Sequence, residues 1–276
     1  MKMNNSIKAS AFIVALSLLA FAACHKPTTT TTSNTATTDQ GNMVSDHAQL
    51  EGADNDVIST TNAAASTGGA ANLRTTSCAT VTNDTISIPH VLTINFGTGC
   101  TGSDGRTRSG EIIVTYNGHY KDSASSHTIS FNNYYLNGYR IGGSKSVTNM
   151  GRNSAGNYWY NVTVNDSLYL SADSVATMTG SRTRTWLAGY ATATRWDDVY
   201  QIAGSTAIRR ANGNTYTFAI TTPLTVAVIC PWVEAGVLTI TGTTMASAWT
   251  IDYGTTGCDN NATLTVGSHV YDIHLR

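Results

Sequence analysis

Two Arg-Thr-Arg triplets, Arg106-Thr107-Arg108 and Arg182-Thr183-Arg184, set cations two residues apart. On an extended chain positions i and i+2 share a face, so each triplet forms a small basic patch suited to forking onto a carboxylate or phosphate. Asp197 and Asp198, just after Trp196, could stand opposite the second pair. A site built from Arg182, Arg184, Tyr190, Trp196, Asp197 and Asp198 would take an anionic ligand such as a uronate or a phosphate. The plainer reading is cross-strand pairing on an exposed sheet face. Aromatic residues gather with amides in Asn132-Asn133-Tyr134-Tyr135 through Tyr139, and in Asn157-Tyr158-Trp159-Tyr160-Asn161. Rings flanked by amides suit sugar stacking, and they suit a β core equally well.

Other groupings say less. Asp272 and His274 would share one face of a strand, with His269 on the other; such groups are ordinarily solvated. Asp104 and Asp259-Asn260 follow two cysteines at matching places, where oxygen-rich loops could hold Ca²⁺, but the same residues also make tight turns. No Gly-x-Ser-x-Gly marks a nucleophile, so no catalytic residue is named. No Cys-x-x-Cys marks a zinc site, and no pattern points to a metal or other cofactor. Asp84-Thr85-Ile86, Asp122-Ser123-Ala124, Asp166-Ser167-Leu168 and Asp173-Ser174-Val175 resemble an O-glycosylation sequon of Gram-negative envelope proteins.

The elements that must carry these residues alternate with a period of two from about Cys78 onward. Ile86 and Ile88 alternate, as do Leu92, Ile94 and Phe96. Further runs are Glu111–Tyr116, Thr128–Leu136, Tyr139–Thr148, Tyr158–Val164, Thr183–Tyr190, Val199–Ala203, Thr215–Thr221, Leu224–Ile229, Gly236–Thr241, Ser247–Tyr253 and Val270–Leu275. Turn residues separate them, and Asn137-Gly138 is the strongest hairpin signal. The fold class is all-β: an antiparallel sandwich or barrel-like meander of about a dozen or more strands. Thr and Ser on both parities do not make the apolar band of a membrane barrel. Thr93-Ile94-Asn95-Phe96-Gly97-Thr98-Gly99-Cys100 is repeated at Thr250–Cys258 with one inserted threonine. Each copy follows another cysteine, which predicts the local disulfides Cys78–Cys100 and Cys230–Cys258. The competing pairing joins Cys100 to Cys258.

The chain begins with Lys2 and Lys8, then 15 uncharged residues from 9 to 23, then Cys24. That run is shorter than the roughly 20 residues of a membrane-spanning helix and reads as a cleaved signal. Ala22-Ala23-Cys24 resembles a lipobox, which makes Cys24 the lipid anchor, carrying acyl chains such as palmitate. Residues 24–77 contain no aromatic residue and read as a flexible tether. Within it Ser45–Ala65 could form one helix, since Leu50, Ala53, Val57, Thr61 and Ala64 recur at threes and fours. From residue 78 onward acids and bases balance, and with no concentrated basic face nucleic-acid binding is excluded.

The stretches Phe96–Gly110, Phe131–Gly138, Trp196–Tyr200 and Asp252–Asn260 resemble a family of uncharacterised all-β envelope lipoproteins of Gram-negative bacteria. The resemblance implies a location and a fold class, and no activity. The expected function is a non-catalytic scaffold, held on the outer membrane through Cys24, that binds glycan or an envelope protein. A glycan-active hydrolase or lyase is the alternative, and a structural subunit joined through edge strands is another. His25, Lys26 and Pro27 after the cysteine, with no acid before Asp39, favour a periplasm-facing position.

Overall fold

Period-two alternation becomes one long sheet wrapped against a helix. In the computed structural model the described residues are 38–65, 79–102, 105–192, 196–230, 232–255 and 257–274. They form α1 (Thr38–Ala65), then β1 (Thr80–Asp84), β2 (His90–Asn95), the two-residue β3 (Cys100–Thr101), β4 (Thr107–Tyr116), β5 (Ser126–Leu136), β6 (Tyr139–Arg152) and β7 (Tyr158–Ser171). There follow β8 (Ser174–Ala188), β9 (Val199–Arg209), β10 (Thr215–Ala227), β11 (Ala235–Gly242), β12 (Trp249–Asp252), β13 (Asn261–Val266) and β14 (His269–His274). Apart from β3, which pairs with β4, the strands run in chain order as an antiparallel meander from β1 to β14. Of the two architectures expected, the meander is the one formed. All of these elements belong to one compact unit, Thr37–Arg276.

The two faces of the sheet differ in chemistry. β7 buries Tyr160, Val162, Val164, Asp166 and Leu168, and exposes Asn161, Thr163 and Asn165 between them. Across the outer face Thr115, Thr128, Ser146, Thr163, Ser181 and Ser205 stand opposite one another on six successive strands. β-Branched and short hydroxyl residues suit a pleated, half-solvated surface. The outside is therefore a neutral field of hydroxyls, where a membrane barrel would be apolar.

The inner face packs on α1. Its apolar stripe of Met43, Leu50, Ala53, Val57 and Ala64 is buried, and this includes the spacing that marked a helix over 45–65. The helix starts seven residues earlier, at Thr38. Residues 38–65 are therefore part of the folded domain and do not serve as tether. The reason is that the segment buries carboxylates as well as apolar groups, and the sheet supplies their partners.

Because the meander is antiparallel throughout, successive connections alternate between two ends. One end, the rim, gathers the connections 85–89, 117–125, 153–157, 189–198, 228–234 and 253–260. Tyr190 O accepts a bond from Lys121 Nζ at 2.6 Å, and Asp198 O accepts one from Val228 N at 2.9 Å, which tie three of these together. Cys230–Cys258, with Cα atoms 5.6 Å apart, joins connection 253–260 to them. That bond is the predicted local pairing and excludes Cys100–Cys258. Cys100 is also disulfide-bonded; Cys78 lies outside the described residues, as does Cys24, the expected anchor.

The internal repeat has a structural basis. Gly97 N donates to Asn95 Oδ1 at 2.7 Å, and Gly254 N to Asp252 Oδ1 at 2.8 Å. Each copy is a strand end closed by the same side-chain turn ahead of a bonded cysteine.

Two strand expectations are corrected, and one strand carried no expectation. Ile86 and Ile88 are exposed in a bend, because Asp84 Oδ1 accepts from Ile86 N and Ser87 N and stops β1. Thr215–Thr221 and Leu224–Ile229 are one strand, β10, bent at a bulge around Pro223. β13 lacked a strong signal because its Asn-Ala-Thr-Leu-Thr-Val run carries few large apolar residues.

Candidate functional site

The first arginine triplet faces the helix. Arg108 clasps Asp56 through two nitrogens, Nε at 3.0 Å, and Arg106 Nη1 reaches the same carboxylate at 2.8 Å. Tyr134 Oη adds a bond at 3.3 Å. Arg182 of the second triplet forks onto Glu51, with Nη1 to Oε2 at 2.7 Å and Nη2 on the other oxygen. Arg210 Nε meets Asp46 at 2.8 Å. Lys145, wholly buried, pairs with Asp54 and lies 3.5 Å from Asp166. Four carboxylates on α1 thus meet cations from four places on the sheet. Burial would raise the Glu51 carboxyl, but Arg182, aided by His47 and Lys145, outweighs it and holds the group at about 2. Burial pushes Asp166 upward, with Lys145 opposing.

Arg184 lies on the same inner face, nearer the rim. Its guanidinium sits 3.6 Å from the Tyr200 ring centre and neighbours Tyr120 and Tyr160, which stack at 4.5 Å. Asp198 is buried beside them and accepts from Trp186 Nε1 at 3.1 Å and Tyr200 Oη at 3.0 Å. Burial raises the Asp198 carboxyl, against the pull of those two bonds. Tyr190 packs edge-on to Tyr158 at 5.9 Å. Asp197 instead accepts from Thr192 Oγ1 at 2.9 Å on the surface, and Trp196 is exposed. The six expected ligand residues are therefore divided. Arg184 and Asp198 share one buried cluster, Tyr190 flanks it, Arg182 is engaged with α1, and Trp196 and Asp197 face solvent. Nor is the second triplet part of an exposed ion-paired face, because its two arginines point inward.

An open groove lies on the outer face at the end opposite the rim, with a volume of about 370 Å³. Thr101, Thr107 and Ser109 line it, and Tyr135 and Gly138 form one wall. Its shape follows from local backbone chemistry. Asn137 and Gly138 both have positive φ, 49° and 84°, and close the hairpin between β5 and β6. Asn137 then clamps β4: its N donates to Thr107 O at 2.8 Å, and its Oδ1 accepts from Thr107 N at 3.0 Å. A bulge between Ser109 and Glu111 re-aims the strand. Gly110 there has a φ of 77°, and a Cβ would come 2.0 Å from Asn133 O, so only glycine fits. Tyr135 is 38% exposed. Next to it in register stands Arg140, then Tyr169, whose ring lies 4.5 Å beneath the Arg140 guanidinium. A ring platform beside several hydroxyls can stack on the apolar face of a sugar and bond its edge. The Asn132–Tyr139 aromatic cluster is thereby split, with Tyr134 in the core and Tyr135 at the groove.

Among the described residues, the sequence candidates for a metal are not brought together. Asp259 Oδ1 accepts from Asn261 N at 2.8 Å, a turn contact; Asp104 is outside the described residues. His269, Asp272 and His274 lie exposed along β14. Among the described residues one grouping is tight enough for an ion, Cys230 with Glu234 and Cys258. Its two sulfurs are bonded to each other, so they cannot serve as thiolates.

No family model, curated protein or solved structure matches this chain. The groove was missed in the sequence because its parts come from 98–101, 107–109 and 135–138, and the bulge that joins them carries no motif. Parity from the Asn137-Gly138 turn would have put Tyr135 outside.

Proposed function

We propose that the chain is a lipid-anchored protein of the cell envelope whose sheet is a non-catalytic scaffold for glycan. The observation that carries this reading is the hydroxyl-lined groove beside Tyr135 on the outer face. A glycan-active enzyme would gather Arg182, Arg184, Tyr190, Asp197 and Asp198 in a concave pocket. Arg182 and Asp198 are instead held in internal contacts, with Glu51 in one case and Trp186 and Tyr200 in the other, which favours a scaffold. The anchor rests on the apolar run 9–23 and on Cys24, and fits a periplasm-facing place at the outer membrane.

Screening the protein against an array of neutral and uronate-containing glycans tests the reading. Retention of at least one glycan is expected, with Tyr135→Ala weakening it about tenfold, roughly the 1.4 kcal/mol of one stacked ring. Equal retention by parent and variant, or no retention of any glycan, would sink it.

A further inference from the structure

The rim opposite the groove carries an exposed apolar surface. Among the described residues ten large apolar or aromatic side chains stand out as exposed, and six belong to this end. Ile86 and Ile88 are 93% and 90% exposed, Ile229 70% and Trp196 53%, each on a connection. Met150 and Leu187 flank them near the ends of β6 and β8. These residues are far apart in sequence, and the meander alone brings them to one end. Isolated exposed apolar residues are ordinary; a group at one end marks a contact surface.

We infer that this rim inserts into the lipid surface on which the proposed anchor holds the protein, an inference that rests on the anchor reading. The side-chain types fit a bilayer better than a protein. The apolar groups are spread over three connections and the ends of two strands, with polar residues between them, whereas a protein interface needs a contiguous apolar centre. Behind them lies a layer of rings and cations. Lys121 Nζ is 4.9 Å from the Trp186 ring, and the Arg152 guanidinium is 4.1 Å from Tyr158 and 5.1 Å from Tyr190. Trp, Tyr, Lys and Arg in this order are what the headgroup layer favours. Acids are interspersed, with Asp84, Asp122, Asp197 and Glu234 at the same end, so insertion depends on apolar burial and not on anionic lipid. The reach is sufficient. Thirteen residues lie between Cys24 and Thr38, and the steps joining them span at most about 50 Å, the length of a strand such as β8 at roughly 3.3 Å per residue. With the rim in the bilayer, the groove beside Tyr135 points away from it.

The test uses the full chain on phosphatidylcholine vesicles with brominated acyl chains. Bromine quenches tryptophan only at the depth of the chains. The expected result is a quenched component that disappears in Trp196→Phe. It should fall at least fivefold in the combined Ile86→Asp, Ile88→Asp, Ile229→Asp variant, with far-UV circular dichroism unchanged. Quenching of Trp196 by aqueous iodide but not by brominated lipid would overturn the inference, as would quenching that survives the triple variant. The mass of Cys24 separates this from the anchor reading. An unmodified Cys24 with Trp196 quenched removes the anchor and keeps the rim, whereas an acylated Cys24 with Trp196 unquenched does the reverse.

Discussion

Glu51 and His47 sit one turn apart on α1, facing Arg182 of β8, Lys145 of β6 and Phe218 of β10. His47 stacks on Phe218 at 3.6 Å, and burial lowers its imidazole to about 4, with Glu51 opposing and Arg182 assisting. Both groups are depressed in the folded chain, so each stabilises fully above its unfolded value and loses that contribution as pH falls. For His47 the window runs from 6.5 down to about 4 and for Glu51 from 4.5 down to about 2. The melting temperature should therefore fall in two stages below pH 6.5. His47→Asn should flatten the upper stage. Glu51→Gln should flatten the lower one while destabilising at neutral pH by about 3 kcal/mol, because Arg182 is left without its carboxylate. A melting temperature constant from pH 6.5 to 4 in the parent would refute the role of His47. At this scale the arginine triplets were legible as paired cations, but their partners were not. Glu51 is 131 residues from Arg182, and Asp56 is 52 from Arg108. Those acids also belong to a segment whose composition reads as solvated chain.

Helix α1 holds its place by tertiary contacts more than by propensity. Its sequence is rich in Asn, Asp, Ser and Thr and contains Gly52 in mid-helix, all weak helix formers. Nothing lies within 4 Å of where a Cβ on Gly52 would stand, and its φ is helical. Gly52→Ala should therefore stabilise the protein by about 0.5–1 kcal/mol, read as a rise in denaturant midpoint at unchanged slope. A fall in midpoint would mean that α1 needs the flexibility glycine gives. The apolar spacing of the helix could be read from sequence because it obeys the 3.6-residue period. Its first turns could not, since residues 38–42 offer no apolar periodicity. Strands were readable for the same reason wherever one face is buried. The failures fall where a local contact overrides alternation, at the Asp84 turn and at the bulge near Pro223.

Closure is what period-two patterning cannot reveal, because a sandwich and a meander present the same alternation. Twelve antiparallel steps separate β1 from β14, so the two edge strands run in the same direction. Both edges bear charge, Asp84 on β1 and Asp272 on β14, a usual defence against edge pairing. This counts against assembly through uncharged edges. It also implies that stability declines outward from the centre of the sheet. β7 has five buried positions, whereas β14 has none and only Ile273 is half-buried. The outermost strands β12 to β14 are held by Cys230–Cys258, which spans 28 residues and should stabilise by about 3–4 kcal/mol through loop closure. Amide exchange should accordingly be slowest in β6–β8 and fastest in β1 and β14. In a Cys230→Ser, Cys258→Ser variant, protection should drop in β12–β14 while β6–β8 keep theirs. A uniform loss across all strands would instead mean that the sheet opens as one cooperative unit, with no weaker C-terminal third for the disulfide to secure.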